Sequence, residues 1–185
     1  MSLTITQINP IIDLAVRDLC YKPYPGHKYG CMNYNKKEGC PPNSPIFTDV
    51  FDLNQPVFAI INKFNLEEQR NKLQSVHPDW SKKKLECSRY WQPAVLKELK
   101  IYSKEFILSH PGYNITTCPE GLGVNVTETM KKVDIVLEWP PELFVYKIAI
   151  AAVERKCRVC GCTWYNGCRN GCRWIESNLC SNCMD

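Results

Sequence analysis

The sequence is poor in histidine and in net charge, and it has no long apolar run. Only three histidines occur among its 185 residues, His27, His77 and His110. The formal net charge is +4, too small to mark a nucleic-acid surface. No stretch approaches the roughly 18 apolar residues of a membrane-spanning helix, so no membrane partner is expected. Residues 1–10 lack a charged start followed by an apolar block, so a secretory signal is not expected either. The chain carries no phosphate loop, dinucleotide fingerprint, HExxH motif or nucleophile elbow, which removes the reaction classes those motifs serve. It has no internal repeat and no low-complexity tract. Hydrophobic residues make up 44% and charged residues 23%, which suits a globular protein rather than a disordered one.

Cysteine is what the sequence has in excess, with 12 residues. Seven of them fall between Cys157 and Cys183; the other five are Cys20, Cys31, Cys40, Cys87 and Cys118. Disulfides need an oxidising compartment, and nothing in the sequence signals export. A body of about 150 residues can also build its own core without staples. An odd count of seven would leave one thiol over. Metal coordination is therefore the expected use of these residues.

Periodicity predicts a mixed body. Asn9 and Pro10 have the form of a helix start, with Ile12, Ala15, Val16 and Leu19 on one face and an end near Cys20. A loop rich in proline and glycine follows to Pro42 and carries Cys20, Cys31 and Cys40. Such a loop inside a compact domain implies that something organises it. Val57–Ile61, bounded by Pro56 and Asn62, reads as a buried strand. Asn65-Leu66-Glu67-Glu68 has the form of a capping box and starts a helix to about Ser75. Pro93 opens a clearer helix with Val95, Leu99, Tyr102 and Phe106 at helical spacing, stopped by Pro111-Gly112. Val133–Trp139 and Phe144–Val153 read as two strands. The expected fold is thus an α+β (mixed α/β) body over residues 1–153, followed by a small metal-stapled finger over residues 154–185.

The finger carries the strongest motif. Cys157-Arg158-Val159-Cys160 and Cys180-Ser181-Asn182-Cys183 are two C-x2-C pairs separated by 19 residues. Two residues between thiolates let one tight turn aim both sulfurs at one ion, and a second turn completes a tetrahedron. Cys162, Cys168 and Cys172 lie between the pairs, and no histidine does. Two arrangements fit: one zinc ion on the outer pairs, or two zinc ions that share a bridging sulfur. A segment this short has no room for a core, so its folding energy must come mostly from metal. The segments Cys157-Arg-Val-Cys160-Gly-Cys162-Thr, Gly171-Cys172-Arg-Trp174 and Leu179-Cys180-Ser-Asn-Cys183 resemble a small cysteine-rich finger found on various phage-encoded proteins. Residues 154–185 carry a formal charge of only +2. Nucleic acid is therefore a possible partner of the finger but not the favoured one.

In the body, Cys31-Met-Asn-Tyr34 leads to Gly39-Cys40-Pro41-Pro42-Asn43. This resembles a family of predicted metal-binding proteins known chiefly from archaea and anaerobic bacteria. The resemblance extends through the apolar Phe51–Phe64 stretch, Cys118-Pro-Glu-Gly-Leu-Gly-Val-Asn-Val126 and the Thr129–Val153 segment. It covers most of residues 11–153 with loose spacing. The family carries a dense C-x2-C-x2-C group where this chain has Cys87 alone. The resemblance implies an iron–sulfur or zinc site of unassigned activity in a bacterial, archaeal or phage-infected cytoplasm. The cysteine set itself is compatible with a [4Fe–4S] cluster, which takes four thiolates, or three with one open iron. The favoured ligands are Cys31, Cys40, Cys87 and Cys118, with Cys20 able to replace one of them or to face an open position.

Lesser candidates are His27 and Tyr29 in the cysteine loop, Arg89, Tyr90 and Trp91 beside Cys87, and Glu120 beside Cys118 as a general acid. For each, ordinary packing or solvation is the commoner role. The expected function is metal binding, with redox or Lewis-acid chemistry on an unidentified small molecule as one possibility. The rival is a non-catalytic zinc module that contacts nucleic acid or a protein partner.

Overall fold

A computed structural model describes residues 2–24, 28–37 and 39–184; His27 lies outside them. The body is built on an antiparallel sheet. β1 (Ser2–Ile8) is followed by a 3-10 helix over Leu14–Cys20 and a run of turns. Then come α1 (Phe47–Val50), β2 (Val57–Asn65), α2 (Leu66–Val76), α3 (Lys82–Leu85) and α4 (Gln92–Ser109). β3 (Tyr113–Thr116), α5 (Val126–Lys131) and β4 (Phe144–Val153) complete the body. The tail adds a short hairpin of β5 (Trp174–Glu176) and β6 (Leu179–Cys180). The body is therefore α+β, with the cysteine-rich segment at its C-terminal end.

The sheet order is β1-β2-β4-β3, with every pairing antiparallel. β2 and β4 are its centre because both are apolar on both faces. Ala59, Ile60, Ile61, Ala149, Ile150, Ala151 and Ala152 are all buried. One face packs Ile60, Ala149 and Ala151 against Leu99 and Phe106 of α4. The other packs Ala59, Ile61, Ile150 and Ala152 against Phe47, Val50, Val124 and Met130. Alternate residues of a strand face opposite sides, so each central strand contributes to both cores.

Three predicted elements differ from the structure. The first helix begins at Leu14, not Asn9, and is a 3-10 helix; Asp13 caps it by accepting from the Ala15 amide at 3.0 Å. Asn9 and Pro10 instead end β1. The strand read as stopping before Asn62 runs on to Asn65. Asn62 is tolerated inside it because its side-chain amide donates to the Val95 carbonyl and the Glu98 carboxylate, each at 3.1 Å. That satisfies a polar group that burial would otherwise penalise. Residues 133–139 form no strand. Asp134 takes φ of 60°, a left-handed conformation that interrupts extended backbone, and Val133, Ile135 and Leu137 pack from loop positions against the core.

The remaining expectations fare better. Asn65 caps α2 through the Glu68 amide at 2.9 Å, and Val95, Leu99 and Phe106 are the buried stripe of α4.

Candidate metal centres

All twelve cysteines are free. Eleven of them fall into two gatherings of different geometry.

The tail gathers seven. The sulfurs of Cys157, Cys160, Cys180 and Cys183 all lie within 4.8 Å of one another, and so do those of Cys160, Cys162, Cys168 and Cys180. The two groups share Cys160 and Cys180. Cys172 stands beside them, its sulfur 3.7 Å from that of Cys162. The pairs Cys160–Cys168 and Cys160–Cys180 are also at 3.7 Å, and Cys168–Cys180 is at 3.8 Å. A disulfide would need about 2.05 Å. A tetrahedron with metal–sulfur bonds of about 2.3 Å has edges of about 3.8 Å. The spacing is thus that of thiolates around one ion, twice over. These cysteine groups could hold metal.

Local backbone chemistry aims the sulfurs. The Cys157 amide donates to the Cys162 carbonyl at 2.9 Å, and the Gly161 amide donates back to Cys157 at 2.9 Å, closing a tight knuckle. The amides of Cys160, Cys180 and Val159 point at the Cys157 sulfur and bring its pKa down to about 5, against the opposing effect of burial. Burial pushes the Cys162 and Cys183 thiols up. Cys168 rises to about 12, first through its contact with Cys172 and then through burial. Crowded sulfurs cannot all carry charge unless a cation compensates them.

The tail is fastened to the body. The Arg155 guanidinium donates to the carbonyls of Thr48, Glu176 and Ser177 at 2.6 to 2.7 Å. It also lies 4.3 Å from the centre of the Trp174 ring. The Trp174 indole N–H donates to the Asp49 carbonyl at 2.9 Å.

The body gathers four thiols rather than five, and more loosely. Three irregular segments converge: the 3-10 helix ending at Cys20, the loop over residues 31–44, and the turn over residues 118–123. Arg17 holds the first to the second by donating to the Pro42 and Ser44 carbonyls at 3.2 and 2.8 Å. Ser44 holds the second to the third by donating to the Gly121 carbonyl at 2.7 Å. The Cys31 amide donates to the Cys20 carbonyl at 2.7 Å. Gly30 permits that approach, since a Cβ there would sit 2.7 Å from the Cys20 oxygen, and its φ of +75° suits glycine. Gly121 leaves room for Cys118, whose sulfur a Cβ would meet at 3.0 Å.

The result is electrostatic coupling between the thiols. Burial raises the Cys20 pKa first, and the charges of Cys31, Cys40 and Glu120 add to it. Burial likewise pushes Cys118 up to about 11, with Glu120, Cys40 and Cys20 contributing. Glu120 borders a cavity of about 420 Å³ together with Cys20 and Cys31. Its exposed surface opens there, while the protein packed around its carboxyl raises its own pKa.

Cys87 stands apart. It is exposed, in the bend between α3 and the helical turn Ser88–Tyr90. Cys20, Cys31, Cys40 and Cys118 thus influence one another electrostatically, and Cys87 is not among the groups that act on them. Tyr90 packs its ring on Trp80, centres 5.3 Å apart. Trp91 stacks on Phe64, ring centres 5.4 Å apart, which is a packing role. Sequence spacing could not reveal that the Leu14–Cys20 turn lies against the Cys118 turn. The link is a long-range bridge between Ile12 and Val124, supported by the Asp13 amide donating to Gly123 at 2.8 Å. Comparison with protein-family models, curated proteins and solved structures finds no match for this chain.

Proposed function

We propose that this protein binds two kinds of metal centre: zinc in the C-terminal tail and a [4Fe–4S] cluster on Cys20, Cys31, Cys40 and Cys118 in the body. The observation that carries the metal-binding reading is the pair of overlapping sulfur tetrads between Cys157 and Cys183. Their donor set is all thiolate at tetrahedral spacing, which suits zinc in a closed, structural site. Two tetrads with shared members favour two ions over one, with Cys160 and Cys180 as the candidate bridging sulfurs.

The body site is read differently because its geometry is different. Among the described residues, its four thiols do not close to the spacing of a single ion, yet they share one electrostatic neighbourhood. Four coupled thiols spaced beyond single-ion contact suit a polynuclear cluster better than one zinc ion. The Cys40-Pro-Pro-Asn resemblance points the same way. Ligation by four cysteines favours electron transfer or a structural role over Lewis-acid catalysis, which needs an open iron.

Metal analysis tests this directly. Protein purified without oxygen is expected to contain about four iron, four sulfide and two zinc per chain, and to absorb broadly near roughly 400 nm. Colourless protein with zinc alone would replace the cluster with the rival reading, a zinc-stapled binding module.

A further inference from the structure

β3 has four residues and β4 has ten. β3 pairs only with Ile150–Val153 of β4. The outer edge of β4 from Phe144 to Ala149 therefore has no strand beside it among the described residues. The chain turns away at Thr117 and Cys118, and the space it leaves is a cleft of about 800 Å³. α4 forms one wall with Leu96 and Leu99; the cysteine loop and the Cys118 turn form the other.

Three lysines line this cleft, Lys37, Lys100 and Lys147, and no carboxylate does among the described residues. Lys147 is the informative one. It lies opposite Asn62 in the sheet register, so its side chain leaves β4 on the face covered by α4. It is half-buried, and burial pulls its pKa down while the charge of Glu120 works against that. None of the described ion pairs within 4.0 Å includes it. An ammonium drawn partly out of water, with only the more distant Glu120 charge to balance it, is incompletely compensated. Leucines and isoleucines interspersed with polar side chains and three cations have the composition of a small-molecule site.

We propose that this cleft binds a small organic anion, a carboxylate or phosphate group on an apolar body. Lys147 anchors the anionic group, and Lys37 and Lys100 supply a positive rim. The competing role for these lysines is to balance the charge of the neighbouring Cys40 and Cys118 thiolates. Under that role no free anion would bind.

Calorimetric titration of the full-length protein, purified without oxygen, separates the two. The probes are phenyl phosphate and phenylacetate, with benzyl alcohol as the neutral control. At least one anion is expected to bind saturably at one per chain, and about tenfold or more tighter than the alcohol. Lys147→Met is expected to weaken that binding by about tenfold or more, and Lys100→Gln by about threefold. Circular dichroism checks the fold of each variant. Should Lys147→Met fail to fold, the double variant Lys37→Gln/Lys100→Gln, at two exposed positions, carries the test. Three results would each overturn the proposal: no saturable binding by either anion, equal binding of the alcohol, or unchanged affinity in the folded variants. Iron and sulfide are counted on the same samples, so a missing cluster and a missing ligand register as separate results.

Discussion

The body and the tail solve the same problem with different materials. The body buries Phe47, Ile60, Ile61, Leu99, Met130 and Ile150 almost completely, on both sides of a four-stranded sheet. The tail's buried centre consists of Cys157, Cys162, Cys180 and Leu179. A full apolar side chain contributes about 1.5–3 kcal/mol on burial, and the body buries nineteen such side chains among the described residues. The tail has one leucine and a set of sulfurs. Its centre is hydrophobic in accounting only, because those sulfurs are aimed at one another at 3.7 to 3.8 Å. A chain too short to exclude water from a core can still be ordered by a few strong directional bonds. The two regions should therefore fail under different treatments.

The largest contrast is expected from chelation. Zinc binding in small thiolate modules contributes on the order of 10 kcal/mol. Stripping it should unfold residues 157–183 while β2 and β4 stay protected, as read by amide hydrogen exchange. A tail that keeps its protection after chelation would break the comparison.

The next effect concerns the body thiols. Cys118→Ser is expected to lose most of the iron and its absorbance, while Cys87→Ser retains both, since Cys87 is exposed and apart from the other four. Equal iron loss in the two variants would return Cys87 to the ligand set. In the opposite direction, Ile60→Ala hollows the body core, where Ile60 is fully buried. It should cost about 2–5 kcal/mol by chemical denaturation and leave the zinc content unchanged. The smallest effect is expected at the seam. Trp174→Phe keeps the ring but removes the N–H that donates to Asp49. It should loosen the tail by about 1 kcal/mol, seen as faster exchange across β5 and β6 with the body's stability unaltered.

Much of this division could be read in the chain, and the limits were physical. α4 was legible because its apolar residues recur at helical spacing and proline and glycine punctuate its ends. The Asn65 cap was legible because capping is a local interaction. β1 was missed because Asn9-Pro10 looks like a helix start. Its Leu3-Thr4-Ile5-Thr6 alternation is short, and its residues are largely exposed. The strand expected over residues 133–139 failed for the opposite reason: apolar residues there reach the core from loop positions, which imitates a strand. In the tail, the C-x2-C spacing gave the two turns, but not which sulfurs stand in both tetrads. In the body, sequence gave the cysteines and a loop in need of organisation. The approach of the Leu14–Cys20 turn to the Cys118 turn depends on contacts between residues more than a hundred positions apart, such as Ile12 and Val124, which no local pattern encodes.

The seam between the regions has a consequence for how the protein can change over time. Arg155 and Trp174 both donate from their side chains, and every acceptor they use is a main-chain carbonyl, at Thr48, Asp49, Glu176 or Ser177. Every amino acid supplies that oxygen. Attachment through these bonds therefore depends on the two donors, and the side chains at positions 48 and 177 are free to drift as far as these bonds are concerned; the Asp49 carboxylate, by contrast, acts on the Arg155 charge. A tail fastened in this way is portable: it could be carried onto another body that offers a short helical turn with its carbonyls turned outward.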